Sequence, residues 1–105
     1  MFAPHYASTG TSYTADVPYS NITAETCALL TLLIRAMVKD CDKVSVCALP
    51  APGNGTTFKV RVGRGEAGKI LGRGGRTARS LRIILISIAK EHGENFMLDL
   101  ESQPE

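Results

Sequence analysis

The chain has 105 residues, 44% of them hydrophobic and 21% charged, with a formal net charge of +2. That length supports one domain with a modest core. Three cysteines without C-x-x-C spacing and two histidines, His5 and His92, make no disulfide framework and no zinc set, so neither metal nor cofactor is expected.

Residues 1–20 read as a flexible arm. Ser8 to Thr14 are mostly turn-forming, no periodicity is visible, and Tyr6, Tyr13 and Tyr19 are available for stacking. The start Met1-Phe2-Ala3-Pro4-His5 lacks the basic and apolar regions of a secretion signal. The apolar run from Cys27 to Val38 is too short to span a bilayer and is interrupted by Thr31 and Arg35. A cytoplasmic protein with no membrane contact is expected.

A helix capped by Asn21 or Thr23 is predicted to run to about Lys39, with Glu25 in its first turn. Leu29, Leu32, Leu33, Ala36 and Met37 fall on one side at 3.6-residue spacing, widened by Leu30 and Ile34, and this stripe is expected to face the core. Val44, Val46 and Ala48 then alternate with Ser45 and Cys47 in a first strand. Pro50 to Gly55 reads as a loop that cannot continue a ladder. Phe58, Val60 and Val62 alternate with Lys59 and Arg61 in a second strand, and the pair is expected to form an antiparallel hairpin. A short helix over Gly65–Leu71 and a long one from Arg76 to about His92 follow, the latter ended by Gly93. A third strand covers Asn95–Leu100. On the long helix Leu81, Ile84, Leu85 and Ile88 share the side predicted to be buried, with His92 on the same side but at the helix end facing solvent, while Ile83 and Ile86 lie opposite, a candidate interface.

The break between these two helices carries the chemistry. Three glycines in four residues, Gly72-Arg73-Gly74-Gly75, cannot be helix interior. The charge is segregated around them: Lys59 to Arg82 holds eight cations and one acid, Glu66, whereas the rest of the chain holds four cations and nine acids. Backbone amides at a helix N-terminus, ringed by Lys69, Arg73, Arg76, Arg79 and Arg82, suit phosphate oxygens. Ile70 and Leu71 beside the break suit a floor under bases or sugars.

Two enzyme fingerprints overlap this region and both fail. Gly63-Arg64-Gly65-Glu66-Ala67-Gly68 matches G-x-G-x-x-G, but the helix that follows stops at Gly72. Gly63 to Lys69 approaches a P-loop, but Ile70 stands where a magnesium-binding hydroxyl is required. No nucleophile–base arrangement stands out, and the chain is not expected to be an enzyme.

Ile-Leu-Gly-Arg-Gly-Gly-Arg-Thr-Ala resembles the G-x-x-G loop of KH domains. The longer run from Gly68 to Arg82 is similar to small bacterial single-KH proteins of the KhpA type. The resemblance covers about residues 22 to 100. It departs where Gly63-Arg64-Gly65-Glu66 replaces an Ala-Pro-Glu-Asp-like approach to the short helix, and at the arm.

The resemblance implies an α+β fold, the type II KH domain, α-β-β-α-α-β with a three-stranded mixed sheet backed by helices. It implies domain limits of 21–101, between the arm and a tail at 102–105. Single-stranded RNA is the implied ligand, with Lys69, Ile70, Leu71, Gly72, Arg73, Gly74, Gly75, Arg76, Ala78 and Arg79 as RNA-binding residues, in an RNA chaperone or post-transcriptional regulator. Ile70, Leu71 and Ala78 would line its apolar groove. Self-association and pairing with a KhpB (Jag)-like KH protein are also implied, and the Ile83–Ile86 face read from the helix is the candidate interface for it. The alternative is a protein-interaction or ribosome-assembly KH module whose long helix is the main binding surface.

Overall fold

The structure, a computed structural model, describes residues 21–102, so the predicted arm and its tyrosines lie outside the described residues. The elements in chain order are α1 (Asn21–Met37), β1 (Ser45–Ala51), β2 (Gly55–Val62), α2 (Ala67–Leu71), α3 (Arg76–Glu91) and β3 (Phe96–Ser102), with single 3-10 turns at Cys41–Lys43, Pro52–Asn54 and Arg73–Gly75. This is the predicted α+β order. β1 pairs antiparallel with β2, and β2 pairs parallel with β3, giving a mixed sheet in the order β1-β2-β3. Val46, Ala48, Phe58, Val60, Val62 and Phe96 point from the sheet into the core. The Phe58 and Phe96 rings meet edge to face with centroids 4.9 Å apart, a favoured quadrupole geometry.

β1 continues through Pro50, which pairs with Thr56, and Ala51 pairs with Gly55. The predicted loop is therefore shorter, confined to Pro52–Asn54. β1 is an edge strand, so Pro50 is placed where a missing N–H is tolerated. At the other end of the sheet β3 runs on to Ser102, opposite Val62.

Both long helices bury part of the predicted stripe, Leu30 and Ile34 on α1 and Leu81 and Leu85 on α3, but each is rotated so that other predicted residues are left outside. α1 buries Thr23, Thr26, Cys27, Leu30, Thr31 and Ile34, leaving Leu29, Leu32 and Leu33 exposed and Met37 half-buried. The threonines and cysteine are small and allow close approach to β1. Their polar atoms are partly absorbed: Thr31 Oγ1 donates to Cys27 O at 2.7 Å, and Cys27 Sγ lies 3.6 Å from Val46 O. Burial pushes the Cys27 thiol up to about 12, so it stays protonated. Thr23 is buried within the helix and does not cap it, the helix ends at Met37, and Glu25 lies beyond the first turn.

α3 buries Ala78, Leu81, Leu85 and Ala89. Ile84 is exposed and Ile88 only half-buried, contrary to the predicted stripe, because two alanines let the helix settle on the sheet along their side, while His92 faces solvent as expected. α3 ends as predicted: Gly93 adopts φ +67° and the Glu94 N–H bonds back to Ala89 O at 2.8 Å.

These faces are separable by mutation. Ile34→Ala should cost about 2–5 kcal/mol through the cavity it leaves, whereas Leu32→Ala should cost less than about 1 kcal/mol. Urea denaturation at low micromolar protein measures both. The reverse ranking would restore the leucine face as the core face.

Candidate nucleic-acid interface

Gly72 ends α2 and Gly75 begins α3, with one 3-10 turn between them. Gly72, Gly74 and Gly75 have φ of +79°, +64° and +76°, the left-handed region that favours glycine. At Gly72 the requirement is also steric. A Cβ there would stand 2.7 Å from Thr77 Cβ and 2.9 Å from Thr77 N, and closer still to Thr77 Oγ1. A Cβ at Gly74 or Gly75 would meet nothing within 4 Å. The loop therefore leans on Thr77 at one end and presents bare backbone to solvent at the other. Sequence reasoning missed Thr77; the G-x-x-G spacing gave no signal for the residue under the first glycine.

The first turn of α3 contains no acid, and Gly75 supplies no side-chain cap. The positive end of the helix dipole is therefore met by cations alone. Arg73, Arg76, Arg79 and Arg82 are exposed and form no ion pair among the described residues. Lys69 differs: its Nζ lies 2.8 Å from Glu66 Oε1. Lys59 and Arg61, counted above with the basic region, stand on the sheet face opposite the helices and both engage Glu101. The Arg61 hydrogen bond, chiefly, holds the Glu101 carboxyl below its ordinary range.

The apolar positions divide as well. Leu71 is exposed beside the loop, but Ile70 and Ala78 are wholly buried in the core. The expectation that all three line a groove is corrected: Ile70 anchors α2 and Ala78 lets α3 approach, so Leu71 is the one of the three that a ligand can touch in this conformation.

Glu66 is the other residue whose role is visible only in three dimensions. It immediately precedes α2, is buried, and accepts from Lys39 N at 3.0 Å and Asp40 N at 2.9 Å as well as from Lys69 Nζ. It thus ties the chain leaving α1 to the helix leading into the glycine loop. Its departure from the expected approach sequence was legible, its partners were not.

The sequence profile described as KhpA/KhpB, KH domain, matches residues 28–100, more than half of the chain. The chain belongs to this KhpA/KhpB KH-domain family. It is 32% identical over 72 residues to the RNA-binding protein KhpA of Aquifex aeolicus (strain VF5), covering 69% of this chain and 90% of that protein. It is 37% identical over 60 residues to the RNA-binding protein KhpA of Leifsonia xyli subsp. xyli (strain CTCB07), covering 57% of this chain and 78% of that one. No solved structure matches the chain. The helix order and mixed sheet described above are consistent with the KH fold.

The Glu66 brace has a pH signature. The Lys69 hydrogen bond first, then the Lys39 and Asp40 amides, lower its carboxyl from 4.5 to about 2. A carboxyl depressed in the folded state adds stability that is fully present above 4.5 and is lost as pH falls through about 2. Denaturation midpoints of the parent and Glu66→Gln, measured from pH 7 downward, should converge over that window. A constant gap down to pH 2 would show that the charge on Glu66 is not what the fold uses.

Proposed function

We propose that the chain binds single-stranded RNA across the Gly72–Gly75 loop, as a cytoplasmic RNA chaperone or post-transcriptional regulator. The observation that carries this reading is the loop itself. Three left-handed glycines open a sixteen-residue helix whose first turn holds no acid, flanked by exposed, unpaired Arg73, Arg76 and Arg79. Glycine lets the sugar–phosphate backbone approach the main chain, and the arginines neutralise its phosphates. Leu71 packs against a base or sugar. Membership of a family whose named relatives are RNA-binding proteins supports the same reading. Among the described residues no helix is long and apolar enough to cross a membrane.

With about four phosphates held, the slope of log affinity against log salt should be about −3, at about −0.7 per phosphate for single strands. Arg73→Asp with Gly74→Asp should abolish binding by setting two carboxylates against the phosphates. Position 74 has open space around it, so the fold should survive with a loss below about 2 kcal/mol from the left-handed backbone. Fluorescence anisotropy with a labelled oligonucleotide reads both. A flat salt response, or a double variant that binds like the parent, would remove the loop from the mechanism.

A second surface supports the self-association reading. Ile83 and Ile86 are 56% and 57% exposed on α3. Leu29 and Leu33 of α1 line an apolar crevice with Leu81, Ile84, Leu85 and Ile88 of α3. Thr26 Oγ1, buried at this crevice, has no hydrogen-bond partner among the described residues. Pairing through Ile83 and Ile86, which lie on the side of α3 away from that crevice, with a copy of the chain or with a KhpB-like KH protein buries the isoleucines at about 25 cal/mol per Å² and sets two glycine loops on one RNA. Ile83→Asp with Ile86→Lys should give a folded monomer with weakened RNA affinity. Sedimentation equilibrium decides, and a parent protein that is monomeric at tens of micromolar and takes no KhpB-like partner would overturn the proposal.

A further inference from the structure

Lys39, Asp40, Lys43, Gly63, Arg64, Gly65, Glu66 and Lys69 surround a cleft of about 480 Å³ between the end of α1 and the start of α2. Four cations therefore face two carboxylates. Glu66 is saturated, its oxygens taken by two main-chain amides and Lys69 Nζ, so its charge is already offset within the wall. The exposed Asp40 is the one opposing charge left at the rim. Lys39 and Lys43 are exposed and make no ion pair among the described residues. Lys43 is seated against Gly63, where a Cβ would come within 3.3 Å of Lys43 Cβ, so the turn holds the base of this side chain at the cleft.

The cleft is also in line with the glycine loop. Lys69 belongs to its wall and precedes Gly72 by three residues on α2. α2 advances about 7 Å over its length at 1.5 Å per residue, roughly two nucleotides at the 3.4 Å advance of a stacked strand. A strand whose phosphates rest on Gly72–Gly75 and whose chain follows α2 is thus led to the two lysines.

We propose that this cleft is a second phosphate subsite, with Lys39 and Lys43 as its cations, for a phosphodiester of the same single strand about two nucleotides beyond the glycine loop. The subsite rests on the RNA reading given above and extends the footprint of the domain beyond the nucleotides held at the loop. The hinge that Glu66 ties together then has a binding consequence, because it sets the spacing between the two phosphate positions.

The test compares the parent with Lys39→Gln/Lys43→Gln on a four-nucleotide and an eight-nucleotide oligouridylate, with thermal melting to verify the fold. The double variant should bind the octamer on the order of tenfold more weakly at about 0.1 M salt, with a salt slope smaller by about 0.7, and the tetramer as the parent does. Equal losses on both lengths would show a general attraction and overturn the subsite, as would an unchanged octamer affinity. Lysine-dependent binding of ATP or inorganic phosphate, with no effect on the octamer, would overturn the strand phosphodiester as the ligand. Failure of the loop reading looks different: the parent binds neither oligonucleotide, or Arg73→Asp/Gly74→Asp binds both normally. The first of these removes the subsite too, and the second leaves the lysine comparison to decide it.

Discussion

The missing side chain at Gly72 is the constraint on which the site depends. Thr77 occupies the space a Cβ would need, so α2 and α3 can be joined by a single turn and not by a longer loop. In that tight junction the Gly75 and Arg76 amides are taken by Gly72 O and Arg73 O, and the first turn of α3 carries no acid beside the glycines. The same junction leaves Ile70, two residues before Gly72, wholly buried, and Ala78, one residue after Thr77, equally so. The exposed glycines are thus clamped on both sides by core residues. A ligand meets a preformed backbone, and less ordering entropy opposes its binding.

Much of this was legible in the sequence. Element order, the mixed sheet and the loop follow from alternation, glycine placement and resemblance, because each rests on local backbone chemistry. The helix faces were legible only in part, Leu30, Ile34, Leu81 and Leu85 being buried as expected, and the reason for the rest is physical. α1 carries apolar residues around most of its circumference, so a stripe of leucines and a stripe of threonine, cysteine, Leu30 and Ile34 compete for the core. Periodicity weighs hydrophobicity, but a sheet also selects for closeness. Thr23, Thr26, Cys27 and Thr31 on α1, and Ala78 and Ala89 on α3, are small enough to bring the helix axes near the strands. The larger Leu29, Leu32, Leu33, Ile83, Ile84 and Ile86 were left outside.

Charge was legible as an amount and not as a location. Lys59 and Arg61 alternate with buried residues of β2, which sends them to the far face of the sheet, where parallel pairing sets Glu101 opposite Arg61. Lys69 is coupled to Glu66. What remains near the glycines is a smaller group, Arg73, Arg76, Arg79 and Arg82, but one without internal partners among the described residues. Unpaired cations contribute more to phosphate binding than a larger set already neutralised, since no ion pair must be broken first.

The two corrections meet on α3. Its N-terminal half carries the arginines and its middle carries the exposed isoleucines, so the proposed RNA and the proposed apolar partner would address successive parts of one rigid rod. Ile83 lies one residue beyond Arg82 and four beyond Arg79, within one turn of the phosphate-facing surface. A partner docked on the isoleucines therefore sets the position of the second loop relative to the first within the precision of a helix, not of a linker. Under such rigid coupling the effective concentration of the second loop for the same strand is set by geometry. Under the proposed pairing, individually weak loops would add up to useful affinity only for RNA long enough to bridge them, and strand length, more than base sequence, would be the quantity discriminated.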